Sequence, residues 1–186
     1  MRALLVAVAA AGMAVGTAAV PTAAYADERV CQGSLGAVTV DDLRVPSGAT
    51  CTLTGTIVKG QLTVQTGATL TADRIRVVGN VQGEGARAVT VRGSQLGGSF
   101  QVKQGQAATI TGTRLNGDLQ LDEQTSALRA DRNTVGGSIQ FVKNTGGVAI
   151  NANTVDGNLQ CKENRPAPTG GGNVVDGNKE DQCRAL

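Results

Sequence analysis

The chain has 186 residues, 17 Lys and Arg against 15 Asp and Glu, no His, no Trp and 4 Cys. A balance this close to neutral, without a run of five like charges, does not read as a nucleic-acid binder. The lack of His removes the usual acid–base catalyst at neutral pH.

Residues 1–26 read as a secretory signal peptide. Arg2 gives a short positive start, residues 4–15 form an alanine-rich apolar core, and Ala24-Tyr25-Ala26 is a small-x-small cleavage site before Asp27. Gly12, Gly16 and Pro21 interrupt the segment, unlike a stable membrane span. Cleavage would leave positions 27–186, one domain by length. Arg2 is the only charge to leave, so the mature chain stays close to neutral. Tyr25 leaves with the signal, and Phe100 and Phe141 are then the only aromatics. The expected location is secreted, extracellular or associated with the cell wall, with no membrane contact after cleavage.

Residues 27–186 are expected to form a parallel β-solenoid: an N-terminal cap at 27–40, coils at 41–163, and a loop and C-terminal cap at 164–186. The repeat is visible in the glycines at 60, 79, 98, 117, 137, 157 and 177, with steps of 19, 19, 19, 20, 20 and 20. A fixed period of this length marks a solenoid. Two places after the glycines stand Leu62, Val81, Phe100, Leu119, Ile139 and Leu159. Two places before them stand Val58, Val77, Leu96, Leu115, Val135, Val155 and Val175. Nine places before come Leu70, Val89, Ala108, Leu128 and Val148. Apolar columns with polar residues between them mean short strands with one face inward. The period means that each strand pairs in parallel with its copy in the next coil. The expected fold is therefore all-β: a single-stranded, three-sided parallel solenoid of about seven coils, roughly 34 Å long on a ~4.8 Å strand spacing. Right-handed winding follows from the crossover preference. A β-sandwich would not keep the columns at one period. The extra residue of the later coils falls in the turns at 122–126 and 142–146, because turns absorb length changes and strands do not.

Pro168 stands where an apolar column would continue, and proline cannot donate to a sheet ladder. The sheet is expected to end there, with the segment from Lys179 to Cys183 putting charge over the open end.

Four cysteines in an exported chain favour disulfides over metal. Three connectivities are possible. The repeat argues for Cys31–Cys51 and Cys161–Cys183, since each pair lies about one coil apart. No CxxC or His partner supports zinc.

Three outward columns are candidate functional features. Gln82, Gln101, Gln120, Gln140 and Gln160 follow the glycines by three places. They are expected to stack as a self-bonded amide ladder that stiffens the rod; the functional alternative is a flat polar strip that binds a glycan polymer. Asn133, Asn153 and Asn173 are expected to form a turn ladder in the left-handed conformation. Thr52, Thr71, Thr90 and Thr109 are read as ordinary strand residues, because the parallel Thr column that ice binding needs stops at Ala88. Glu84, Lys103 and Asp122 stack with alternating sign and imply no partner. Asp156 and Asp176 raise the question of calcium, but the DGN sequence around each is an ordinary turn and the nine-residue calcium repeat is absent. No metal or cofactor is expected.

An enzyme is not expected either: the turns are short, no GxSxG or phosphate loop occurs, and the cysteines are expected to be oxidised. The alternative is a polysaccharide-active lyase or hydrolase, with Asp118, Asp122 and Arg114 as the residues to watch. The alanine-rich signal, the GxLQ coils and the closing GNLQCKENRPAPTGGGNVVDGNKEDQC resemble small exported β-helix proteins of actinobacteria. That resemblance implies the solenoid and export, and brings no catalytic or binding residue with it. The coil core also resembles the bactofilins, cytoskeletal β-helix polymers without an export signal or disulfides. The functional expectation is an exported, non-catalytic structural or adhesive module of the cell envelope or medium, with cell-wall or other polysaccharide as its partner.

Overall fold

The computed structural model describes residues 27–186; the proposed signal peptide lies outside the described residues. Twenty-five strands form three parallel sheets of nine, eight and eight strands, and each sheet takes every third strand in chain order. The chain therefore crosses all three sheets once per coil. This is a three-sided parallel β-solenoid of about eight turns.

The apolar columns are the reason it closes. Val81, Phe100, Leu119, Ile139 and Leu159 stand opposite one another along the first sheet. Leu70, Val89, Ala108, Leu128 and Val148 do so along the second. Val58, Val77, Leu96, Leu115, Val135 and Val155 do so along the third, whose strands are two residues long. All of them are buried, and they meet in one continuous core. Phe100 and Phe141 are fully buried within it, so neither ring is available on the surface. The added residue of the later coils lies where a turn was expected. Asp122 still stands opposite Lys103, whereas Leu128 stands opposite Ala108, so the step lengthens between these two pairs.

The coil count is corrected at both ends. Residues 27–40 pair as a coil of their own: Glu28–Val30 lies beside Asp42–Val45, Gly33–Leu35 beside Thr50–Thr54, and Thr39–Val40 beside Ile57–Val58. This coil is short at its start, where Arg29 already lies beside Leu43, while Leu43 in turn lies beside the more distant Leu62. Its inward positions are mostly small or half-buried, and Cys31 is the one fully buried apolar residue in it. Pairing through backbone N–H and C=O groups needs no apolar column, which is why the repeat does not announce it. At the other end, the second sheet does not stop at Pro168. Thr169–Gly171 pairs with residues 149–151. Pro168 sits buried just before that strand, where no ladder donor is required of it.

Both disulfides join neighbouring coils. Cys31–Cys51 and Cys161–Cys183 have Cα separations of 5.7 and 5.1 Å. They close loops of 20 and 22 residues, so each is expected to contribute about 3 kcal/mol. Reduction should lower the melting temperature of the native chain, and Cys31→Ser and Cys161→Ser should each account for part of the drop. Titration of four thiols in the native oxidised protein would contradict this.

The repeat glycines are explained by the corner between the third and first sheets. From Gly79 onward, the residue after each glycine sends a side-chain oxygen to the backbone N–H of its counterpart one coil on. Asn80 Oδ1 accepts from Ser99 at 2.8 Å, Ser99 Oγ from Asp118 at 3.0 Å, and Asp118 Oδ1 from Ser138 at 2.8 Å. Ser138 Oγ and Asn158 Oδ1 continue the chain to Asn158 and Asn178. Each oxygen occupies the space that a Cβ on the next glycine would need: 2.1 Å away at Gly98 and 2.2 Å at Gly137. Close approach, rather than an unusual φ, fixes glycine at this column.

Candidate functional site

The amide column runs straight along the first sheet. Gln82, Gln101, Gln120, Gln140 and Gln160 are paired in register on adjacent strands, and the column continues to Glu180. Gln82 is exposed and the other four are half-buried. Their side chains do not form a continuous ladder. Gln101 Nε2 donates to Gln120 Oε1 at 2.9 Å, and Gln160 Nε2 donates to Glu180 Oε2 at 2.9 Å. The side-chain amides of Gln82 and Gln140 make no hydrogen bond among the described residues. An open groove of about 520 Å³ flanks the start of the column, lined by Thr63, Gln65, Gln82, Glu84, Gln101 and Lys103. Its floor includes Gly83, where the neighbouring coils carry valine.

The asparagines are corrected in conformation. Asn133, Asn153 and Asn173 do not take the left-handed turn; the residues before them, Arg132, Ala152 and Gly172, do, with φ of 54°, 53° and 68°. One left-handed residue breaks the in–out alternation, so the side chain that follows points into the rod. All three asparagines are buried. Asn133 Nδ2 donates to Ile110 O and to Asn153 Oδ1, and Asn153 Nδ2 donates to Ala130 O and to Asn173 Oδ1. Thr113 and Ser94 extend the ladder toward the N-terminus through backbone N–H groups. A second such ladder, not expected from the sequence, lines the corner between the first and second sheets. Gln124, Asn144 and Asn164 follow left-handed Glu123, Lys143 and Glu163. Asn144 Nδ2 donates to Leu121 O and to Asn164 Oδ1. The recurrence of Asn144 as Asn164 at the coil period was the available signal. Both ladders saturate buried backbone groups, so their role is structural.

The other candidates are not brought together. Asp118 and Asp122 stand at the two ends of one strand region, ~13 Å apart along an extended backbone. Arg114 projects from the third sheet instead. Burial pushes the Asp122 carboxyl up, Lys103 opposes this and Glu123 adds to it; its Oδ1 is buried and has no hydrogen-bond partner among the described residues. Asp156 and Asp176 are both exposed, and no group of three metal-binding side chains gathers among the described residues. Thr52, Thr71, Thr90 and Thr109 lie in register on the second sheet, but Arg129 follows and Asp73 and Arg92 stand in the adjoining column.

The chain matches no protein-family model, no curated protein and no solved structure.

Proposed function

We propose that this protein is an exported, non-catalytic adhesive rod of the cell envelope or its surroundings, which holds a polar polysaccharide against its first sheet. The observation that supports this is the state of the glutamine column. Of its four neighbouring pairs, only Gln101 and Gln120 bond each other. A ladder built only for stiffness would satisfy its own amides along the rod. Here Gln82, beside the groove, and Gln140, further along the same face, carry amides with no hydrogen bond among the described residues, as hydroxyl-rich chains require. The scaffold is suited to the task, because a stapled rod keeps these groups at fixed spacing and loses little freedom on binding. Two disulfides are consistent with an extracellular location.

The test is retention of the exported chain on isolated cell walls and a panel of neutral polysaccharides, at low and high salt. Retention that survives high salt is expected. The triple variant Q82A/Q101A/Q140A should weaken it at least tenfold, since each lost hydrogen bond costs roughly 1 kcal/mol. Absence of retention on every polymer, or retention unchanged in the triple variant, would overturn the reading.

A further inference from the structure

The third sheet carries a second groove, on a different face from the glutamine column. Ile57, Arg76, Gln95, Arg114 and Thr134 stand in register along its outer side. Two residues beyond the middle three lie Val78, Gly97 and Asn116. Gly97 has no side chain, and a Cβ there would come 2.2 Å from the Val78 carbonyl oxygen. The position is closed to any larger residue unless the backbone moves. The result is an open notch of about 470 Å³ lined by Arg76, Val78, Gln95, Gly97, Arg114 and Asn116.

Two observations give the notch a chemistry. The first is its charge. Arg76 and Arg114 are exposed, and neither lies within ion-pair distance of a carboxylate among the described residues. Nearby, Arg74 at the adjoining corner and Arg129 on the second sheet are held by Asp73 and Asp131, while Arg92 and Arg132 are exposed and have no such partner among the described residues. The carboxylate nearest in sequence to the notch, Asp118, is engaged by the Ser138 N–H. Coils three to six therefore present unneutralised guanidinium groups on one side of a rod whose overall charge is nearly balanced. The second observation is spacing. Arg76 and Arg114 are two strands apart, about 10 Å between backbones, with the neutral amides of Gln95 and Asn116 beside them.

We infer that this notch binds a carboxylate-bearing polysaccharide. A guanidinium group matches a planar carboxylate with two parallel hydrogen bonds. The Gln95 amide between the two guanidinium groups, and the Asn116 amide beside Arg114, suit hydroxyls, which can both donate and accept. Acid groups separated by hydroxyls are the pattern of an acidic sugar chain lying along the rod. A single-stranded nucleic acid would call for stacking aromatics, and Phe100 and Phe141 are both in the core. The inference goes beyond the glutamine face: it gives the rod a second, electrostatic hold on a different polymer.

The experiment uses the full exported chain on immobilised polygalacturonate through a salt titration, with dextran, a phosphodiester wall polymer and single-stranded DNA alongside. The wild type is expected to hold polygalacturonate at low salt and release it as salt rises. R76Q/R114Q should weaken that binding about tenfold, as two exposed ion pairs allow, and flatten the salt dependence. R87Q/R165Q removes the same net charge from the opposite corner and should change binding less than twofold. Q82A/Q101A/Q140A should leave polygalacturonate binding intact, which separates failure here from failure of the glutamine face. The inference is overturned if the wild type does not hold polygalacturonate, if R76Q/R114Q loses no more than R87Q/R165Q, or if DNA or the phosphodiester polymer binds as tightly. Both arginines are exposed, so the melting temperature of R76Q/R114Q should match the wild type, and its binding loss then reports the groove.

Discussion

Asn153→Ala is expected to destabilise the protein by about 3–5 kcal/mol, from the cost of stranding two or three buried polar groups. The Asn153 side chain is fully buried and makes four hydrogen bonds. Its Nδ2 donates to Ala130 O at 2.8 Å and to Asn173 Oδ1 at 2.9 Å. Its Oδ1 accepts from the Asn133 backbone N–H and from Asn133 Nδ2, both at 3.0 Å. Truncation to Ala leaves the Asn133 donors and the Asn173 oxygen facing a cavity, within a network whose members reinforce one another. Asn153→Asp removes only the donor, but sets a carboxylate against Ala130 O and Asn173 Oδ1. It should be at least as damaging at neutral pH. Thr154→Ala, next door and exposed, should stay within about 0.5 kcal/mol of the wild type. Denaturant unfolding measures all three. Faster hydrogen exchange at the Asn133 amide would localise the Asn153→Ala loss, and a loss under about 1 kcal/mol, the size of a single ordinary hydrogen bond, would show that the ladder adds little to stability.

Gly137→Ala is the second large effect, expected at about 2–4 kcal/mol, at or above the upper range for overpacking because backbone atoms are among those struck. The new Cβ would lie 2.2 Å from Asp118 Oδ1 and 2.9 Å from the Gly117 carbonyl carbon. Asp118 cannot turn away without releasing the Ser138 N–H, and Gly117 is backbone with nowhere to retreat. Gly112→Ala provides the contrast. It has φ of +57° and nothing within 4 Å of its added Cβ, so its cost is the left-handed conformation alone, about 1 kcal/mol. A domain of this size should lose roughly 2–4 °C of melting temperature per kcal/mol. Gly137→Ala should therefore melt several degrees below Gly112→Ala. Equal midpoints would mean that the corner yields and that close approach does not fix the glycine column. Gly137→Ala combined with Asp118→Ala should regain only part of the loss, because the contact with Gly117 stays.

The candidate faces were legible in the sequence as columns, but not in their state. The positions of Gln82, Gln101, Gln120, Gln140 and Gln160 followed from counting, since outward residues between two inward ones must share a face. Which amides bond each other depends on rotamers and on Glu180 at the end of the column, and no spacing reveals that. The Arg76 and Arg114 notch was hidden for another reason. It exists because Gly97 contributes nothing between Val78 and Asn116, and a missing side chain becomes a feature only when three coils are stacked.

The sequence by itself determined the solenoid. Val81, Phe100, Leu119, Ile139 and Leu159 recur every 19 or 20 residues because each must lie on its copy in the next coil. The same rule placed Cys31 near Cys51 and Cys161 near Cys183. Only the tertiary structure decided the first coil, the direction of the corner asparagines and the need for glycine. Residues 28–30 join the sheet through backbone hydrogen bonds, which carry no side-chain pattern. Asn133 and Asn153 turn inward because left-handed Arg132 and Ala152 break the alternation from which direction is otherwise read. Gly137 is glycine because Asp118, one coil earlier in the chain, fills the space beside it. Each of these is set by a neighbour one coil away, and local sequence does not record what that neighbour's atoms will occupy.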